Sequence, residues 1–181
     1  MVNKTTAFVL RSFQIIFGVT VLGLSVHAIN WQRIGNAPAT TYYTAFAGAF
    51  GMLTALIGTV AMFIGAVPDR IVAIVDTLAS FLFLAGGIAF AVGLEGISCG
   101  SCSDKSSPAC WYNYLVSGGC KGKGENQICG AHGTDGNGVR CRMIEADSAF
   151  LFLGFLVSVT AAVLYYMASR RSGREVRHAA V

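Results

Sequence analysis

Residues 77–94 read TLASFLFLAGGIAFAVGL, eighteen consecutive positions without a Lys, Arg, Asp or Glu. Three other runs share this property, at 12–32, 34–68 and 148–169. A helix needs roughly 20 apolar residues to cross a bilayer, and these runs are about that long or longer. They are continuously apolar and lack the period-two alternation of barrel strands. The pattern therefore predicts an all-α membrane protein, a bundle of four transmembrane helices at about 9–30, 42–67, 71–97 and 147–168.

The composition favours the same fold class. Hydrophobic residues make up 54% of the chain and charged residues 12%, whereas a soluble domain has about 25% charged residues. Eleven of the twelve Phe fall inside the predicted spans and Phe8 directly precedes the first, whereas the six Tyr and two Trp fall at span ends or in the large loop. Phe tolerates hydrocarbon, whereas the polar tips of Tyr and Trp prefer the headgroup level.

Four crossings place both termini on one side of the membrane. Basic residues near span ends mark the cytoplasmic side, and Arg11 and Arg70 lie at such positions. We therefore expect cytoplasmic termini, an extracellular loop at 98–146 and a basic cytoplasmic tail at 169–181. The arginines of the tail orient the fourth helix and predict contacts with anionic inner-leaflet lipid; they are Arg170, Arg171, Arg174 and Arg177.

All six cysteines lie in the predicted 98–146 loop: Cys99, Cys102, Cys110, Cys120, Cys129 and Cys141. An even number of cysteines in a short, oxidised, core-poor segment predicts disulfides, for which fifteen pairings exist. Zinc is disfavoured because only Cys99 and Cys102 have ligand spacing. That C-x-x-C pair also suggests a membrane disulfide-generating enzyme. However, no cationic group lies beside it to lower a thiol pKa.

Asp76 is the one charge that the sequence places clearly inside the membrane. It lies six residues after Arg70, which is about 9 Å into the third helix. Such a charge is costly and rarely lacks a partner or a role. One interpretation is a proton or ion relay, and another is a polar lock between helices. A third is a hydrogen bond to a hydroxyl of a neighbouring helix.

Small residues recur at spacings of four in three of the helices. The second helix has Ala47, Gly51 and Ala55 and then Ala61 and Gly65, the third has Ala85, Ala89 and Gly93, and the fourth has Gly154, Ser158 and Ala162. Each set lies on one helix face and lets another helix approach closely. The stripes predict packing within the bundle or, for one of them and first of all the stripe of the second helix, contact with a second copy of the chain.

Short motifs near the third and fourth helices resemble a known family. They are AVGL at 91–94, SC at 98–99, GNGVRCR at 136–142 and AFLF at 149–152, together with Asp76. The combination resembles the fungal non-classical export proteins, which are tetraspan proteins of the MARVEL class. The resemblance implies a Cys99–Cys141 disulfide that closes the loop at its base. The other four cysteines exceed the family pattern, and their pairing stays open.

The resemblance also implies a function without enzymatic activity. Members organise plasma-membrane microdomains of the eisosome type and are linked to sphingolipid response and unconventional export. We therefore expect a self-associating plasma-membrane protein. Its partners would be membrane lipids (sphingolipid, sterol or anionic inner-leaflet lipid), with no cofactor, metal or nucleic acid. The alternatives are a small membrane thiol-redox enzyme or transporter, or a tetraspanin-like scaffold.

Overall fold

A computed structural model describes residues 4–64, 67–103, 108–122, 128–129 and 133–179. Four long helices dominate it: α1 (Lys4–Asn30), α2 (Ala39–Ile64), α3 (Asp69–Gly93) and α5 (Gly133–Ala179). Each contains a segment long and apolar enough to cross a membrane. The predicted four-helix membrane fold is therefore confirmed. The side of the bundle where α1 and α3 begin is called the terminal side below, and the opposite side is called the cap side.

Smaller elements lie between α3 and α5 on the cap side. They are a 3-10 turn (Ser101–Ser103), the short helix α4 (Pro108–Tyr112), and the strands β1 (Cys120–Lys121) and β2 (Ile128–Cys129). The two strands pair antiparallel, with Cys120 opposite Cys129.

The helix ends differ from the predicted boundaries. Helix α5 begins at Gly133 rather than at 147 and continues to Ala179, so the last part of the predicted loop and most of the predicted tail are helical. Helix α3 ends at Gly93 rather than at 97, and α1 begins at Lys4 rather than at 9. Helices α1 and α5 extend past the predicted spans because an apolar run marks the part of a helix in hydrocarbon, whereas helical hydrogen bonds continue into water. Helix α3 instead ends early, ahead of Gly96, whose φ of 74° lies in the left-handed region.

Helices α1 and α2 cross in backbone contact at two glycines. A Cβ on Gly48 would lie 2.7 Å from the Leu22 nitrogen and 2.9 Å from the Gly18 carbonyl oxygen. A Cβ on Gly18 would lie 2.9 Å from the Met52 nitrogen. Both positions therefore require glycine, because any larger residue would push the two helices apart.

The centre of the bundle is an apolar layer around Phe83, whose side chain is fully buried. The ring lies against Gly51 of α2, where a Cβ would overlap it, and 3.3 Å from a Cβ placed on Gly154 of α5. Val21 and Leu151 belong to the same cluster. The absence of side chains at the two glycines therefore makes room for a large aromatic ring.

This packing distinguishes the small-residue stripes from one another. On α2, Gly51 and Ala55 are buried, so the stripe that was expected first to contact a second copy packs within the bundle instead; Gly65 lies outside the described residues. Gly154 and Ser158 are buried as well. On α3, by contrast, Ala85 is exposed and Ala89 is half-buried. Only the α3 stripe therefore presents small residues on the outer surface of the bundle.

Candidate functional site: two buried polar layers and a disulfide-stapled cap

The terminal-side half of the bundle buries an ion pair between α1 and α3. The Arg11 guanidinium donates from Nη1 to Asp76 Oδ1 at 2.6 Å and from Nη2 to Asp76 Oδ2 at 2.7 Å. Both side chains are 1% exposed. This two-point geometry matches the planar guanidinium to the carboxylate and is the strong form of such a pair. Asp76 is therefore held by a cation of a neighbouring helix.

Three further residues complete what we call the terminal-side polar layer. Gln14 accepts from Arg11 Nη1 at 2.7 Å, and its Nε2 lies 3.3 Å from both Asp76 Oδ1 and Ser158 Oγ. The Arg11 guanidinium also lies over the Tyr165 ring, 5.0 Å from its centroid, in cation–π geometry. The layer thus joins α1, α3 and α5.

Gly58 of α2 provides the space that the guanidinium occupies. A Cβ at this position would overlap the Arg11 side chain. Gly58 is therefore part of the ion-pair site although it contributes no polar group.

Asp76 is buried, as expected for an intramembrane charge, and its contact with α1 agrees with the polar-lock interpretation, but its partner was not predicted. The sequence treated Arg11 as a residue of the membrane surface, but Arg11 is buried beside Asp76. One sequence signal could have found the pair. Arg11 lies seven residues after Lys4 and Asp76 seven residues after Asp69, so both lie about 10 Å from helix starts on the same side.

The cap-side half of the bundle contains a second layer, which we call the cap-side polar layer. Ser25 Oγ of α1 donates to Asp147 Oδ2 of α5 at 2.7 Å and lies 2.9 Å from Thr44 Oγ1 of α2. The Thr44 hydroxyl is 3.0 Å from the Thr41 carbonyl oxygen. Asp147 is 2% exposed, and its Oδ1 has no hydrogen-bond partner within the described part of the chain.

Asp147 is the first residue of the predicted fourth span, and the sequence did not single it out as a buried group. It immediately precedes the apolar run of the fourth helix, where sequence alone does not distinguish a solvated position from a buried one. From Asp147 to Ser158 along α5 is eleven residues, so the two polar layers lie about 16 Å apart. The apolar layer around Phe83 separates them.

Three disulfides staple the cap. Cys99 is bonded to Cys141 with a Cα–Cα distance of 5.4 Å, which ties the segment after α3 to α5. Cys102 is bonded to Cys110, and Cys120 to Cys129. The Cys99–Cys141 bond is the one that the family resemblance implied. The two cysteines of the C-x-x-C motif are therefore bonded to different partners and not to each other.

Asn113 organises the cap segment, residues 113–118. Its side-chain amide donates to the Gly93 carbonyl oxygen at the end of α3, at 2.8 Å. Its side-chain oxygen accepts from the backbone nitrogens of Leu115 and Val116 at 2.9 and 3.2 Å. Leu115 and Val116 are fully buried. The loop, which is core-poor by its sequence, therefore has a small apolar centre of its own.

Arg140 of α5 fastens the cap segment to the rest of the bundle. Its Nε donates to the Leu115 carbonyl oxygen at 2.7 Å and its Nη2 to Gln32 Oε1 at 2.9 Å. The Gly118 carbonyl accepts from the backbone nitrogens of Arg33 and Ile34. The cap thus connects α3, α5 and the α1–α2 loop. Arg140 itself is buried, at 2% exposed.

The tail arginines are described only in part. Arg170 is exposed, and its guanidinium lies over the Tyr166 ring, 5.0 Å from the centroid. The side chains of Arg171, Arg174 and Arg177 lie outside the described residues. Within the described part of the chain, no group of three His, Cys, Asp or Glu side chains is arranged to hold a metal ion.

These features define a multi-pass membrane protein whose polar groups are buried inside the bundle and whose cap is disulfide-bonded. The family model of the MARVEL membrane-associating domain matches residues 3–164, so the chain belongs to the MARVEL family. No curated protein and no solved structure matches the chain.

Proposed function

We propose that this protein is a non-enzymatic organiser of plasma-membrane microdomains, acting through self-association and lipid contacts. In this proposal the terminal side faces the cytoplasm, the arginines that follow α5's apolar run contact anionic inner-leaflet lipid, and the cap is extracellular. An eisosome-like domain and a link to sphingolipid response or unconventional export are the narrower form of the proposal. They rest on the resemblance to the fungal export proteins.

The observation that carries the proposal is the division between a polar interior and an apolar exterior. The Arg11–Asp76 ion pair and Asp147 are buried inside the bundle. Large apolar side chains cover its surface, such as Phe63 at 74% and Phe81 at 63% exposed. The exposed Thr160 hydroxyl donates to the Leu156 carbonyl oxygen of its own helix at 2.8 Å. Such a surface is suited to lateral contact with lipid tails and with other helices.

The arrangement of the disulfides counts against the thiol-redox alternative. A dithiol enzyme needs two neighbouring cysteines that alternate between a bond and two thiols. Cys99 and Cys102 are instead bonded to Cys141 and Cys110, respectively. Reduction at this motif would therefore detach α5 from the segment after α3.

A transporter is the second candidate, because the interior contains more polar groups than the sequence revealed. Buried acids inside a membrane often mark proton or ion pathways. Here the two polar layers are separated by the apolar layer of Val21, Phe83 and Leu151, which are all fully buried. This separation favours a structural role for both layers.

The proposal is tested by cross-linking the tagged full chain in cell membranes. A Gly51→Leu change is unsuitable for mapping an interface, because the new side chain would overlap Phe83 inside the bundle. Ala85→Trp alters the exposed face of α3, and Val163→Trp is a matched control on the exposed face of α5. We expect cross-linked multimers for the unaltered chain and the control, and fewer for Ala85→Trp.

If the monomer is the only species detected at every cross-linker concentration, self-association is rejected. Equal multimer yields from Ala85→Trp and the unaltered chain would reject the exposed face of α3 as the interface. Correct folding of each variant is checked by peptide mapping of the three disulfides without reduction.

A further inference from the structure

A pocket of about 580 Å³ opens on the cap side between the end of α3 and the beginning of α5. Leu94 and Ile97 provide its apolar wall. Ser98 and Ser148 also line it, with the Ser148 hydroxyl donating to the Gly87 carbonyl oxygen, and the Cys99–Cys141 disulfide fixes the distance between its two sides. The pocket is therefore amphipathic and has a covalently fixed frame.

Two opposite charges line this pocket without neutralising each other. Arg142 and Glu145 lie one turn apart on α5, and both are exposed. Among the ion pairs of the described residues, none joins Arg142 to Glu145. Arg140, only two positions away, is buried and bonded to the cap segment. Arg142 and Glu145 thus offer one cationic and one anionic contact to a ligand.

The pocket lies where lipid headgroups meet the bundle. Helix α3 has 25 residues and is therefore about 37 Å long, which exceeds the roughly 30 Å of the hydrocarbon core. Its last turn, next to Leu94, then reaches the headgroup level. On α5 the uncharged apolar run begins at Ser148, just below Arg142 and Glu145. Ile88 and Leu153 are exposed farther into the membrane and provide apolar surface for acyl chains.

We propose that this pocket binds the headgroup of a zwitterionic phospholipid, with the phosphate at Arg142 and the ammonium group at Glu145. A net anionic headgroup would place negative charge beside Glu145 without a matching contact, and an uncharged lipid would leave both charges unused. The inference rests on the lipid contacts of the proposed function and identifies the class of lipid on the cap side.

The test uses the full chain purified in mild detergent, with its three disulfides verified by peptide mapping. The probes are dioleoylphosphatidylcholine, dioleoylphosphatidylglycerol and dioleoylglycerol, which share their acyl chains. Bound lipid is counted by native mass spectrometry at equal lipid concentrations. We expect phosphatidylcholine to be retained above the other two. Arg142→Ala and Glu145→Gln should each weaken its binding by about three- to tenfold, as expected for loss of one partly exposed charged contact.

A charge reversal and a matched control sharpen the experiment. Glu145→Lys should shift the preference from phosphatidylcholine to phosphatidylglycerol, because the pocket then holds two cations. Lys121→Ala removes an exposed base on the cap outside the pocket and should change nothing. Equal retention of the three lipids would overturn the proposal, as would a preference of the unaltered chain for phosphatidylglycerol or equal losses from Arg142→Ala and Lys121→Ala.

This measurement is independent of clustering, because it is made on dispersed protein. Headgroup selectivity without cross-linked multimers in cells would support the pocket and reject the organiser proposal. Multimers in cells without headgroup selectivity would support the organiser proposal and reject the pocket.

Discussion

The two buried polar layers each centre on an aspartate of a membrane-spanning helix, yet they are built differently. Asp76 faces the guanidinium of Arg11, whereas Asp147 is hydrogen-bonded by the hydroxyl of Ser25. A buried charge is tolerated when an opposite charge and hydrogen bonds compensate it. The comparison indicates that the terminal-side layer is an electrostatic lock between helices and that the cap-side layer is a network of hydroxyl and carboxyl hydrogen bonds.

The surroundings of the two layers explain this difference. On the cap side, the Cys99–Cys141 bond and the contacts of Arg140 hold the helices together directly above Asp147. On the terminal side, the described residues contain no disulfide, and the Arg11–Asp76 pair is the principal polar contact between α1 and α3. The end of the bundle without covalent links is thus the end with the ion pair.

The largest expected effect comes from breaking the ion pair. Asp76→Asn leaves the Arg11 guanidinium buried without a counter-charge, which should lower the free energy of unfolding by about 3–5 kcal/mol. Equilibrium unfolding in mixed micelles measures the change. A loss below about 1 kcal/mol would mean that Arg11 finds another partner or is not buried.

The next effect distinguishes the disulfides by the length of chain that they close. The Cys99→Ser/Cys141→Ser variant opens a link that spans 42 positions, and the chain-entropy argument predicts a loss of about 4 kcal/mol. The Cys120→Ser/Cys129→Ser variant opens a link that spans 9 positions, with a predicted loss of about 2.5 kcal/mol. The reverse order in thermal unfolding would show that the base of the cap is not its main constraint.

A smaller effect tests the apolar layer between the two aspartates. Gly51→Leu forces a side chain against Phe83 and should cost about 1–3 kcal/mol through overpacking. Gly23→Leu is the matched control, because a Cβ at Gly23 has no heavy atom within 4 Å. We expect the control to unfold at the same temperature or slightly above that of the unaltered protein. Equal destabilisation by both changes would place Gly51 on the surface.

The smallest effect is expected at Asp147. Its hydrogen bond from Ser25 requires only an acceptor, which the carbonyl of asparagine also provides. Asp147→Asn should therefore change the free energy of unfolding by less than about 1 kcal/mol. Replacing aspartate by asparagine would then greatly reduce the free energy of unfolding in the terminal-side layer and leave it almost unchanged in the cap-side layer. A loss as large as that of Asp76→Asn would indicate that Asp147 also compensates a buried cation.

The apolar runs of the sequence predicted the four spans because hydrocarbon tolerates almost no charge over the length of a helix. Outside the bilayer a helix can contain charged residues, so the apolar run did not predict that α5 begins at Gly133. Arg11 was placed at the membrane surface because a basic residue near a span end can either mark the cytoplasmic side or be buried between helices, and the sequence does not distinguish the two. The contact between Gly18 and Gly48 is not visible in the sequence, because it joins two helices, whereas residue spacing reports only on the face of one helix.

For the cap, the sequence predicted that disulfides form but not which cysteines pair within it. Six cysteines in one segment were enough to predict disulfides, but fifteen pairings are compatible with the count. The pairs Cys102–Cys110 and Cys120–Cys129 depend on the short helix and the hairpin that bring their ends together. The burial of Leu115 depends on Asn113 and Arg140, which make contacts distant in sequence, Asn113 with the Gly93 carbonyl and Arg140 with the Leu115 carbonyl.

A double-mutant cycle on the ion pair tests the account most directly. It compares the free energies of unfolding of Arg11→Met, Asp76→Leu and the double variant with that of the unaltered protein. We predict that the double variant is more stable than either single variant, with a coupling energy of at least about 2 kcal/mol. Single losses that add to within about 0.5 kcal/mol would contradict the claim that Arg11 and Asp76 lock the helices of this bundle together.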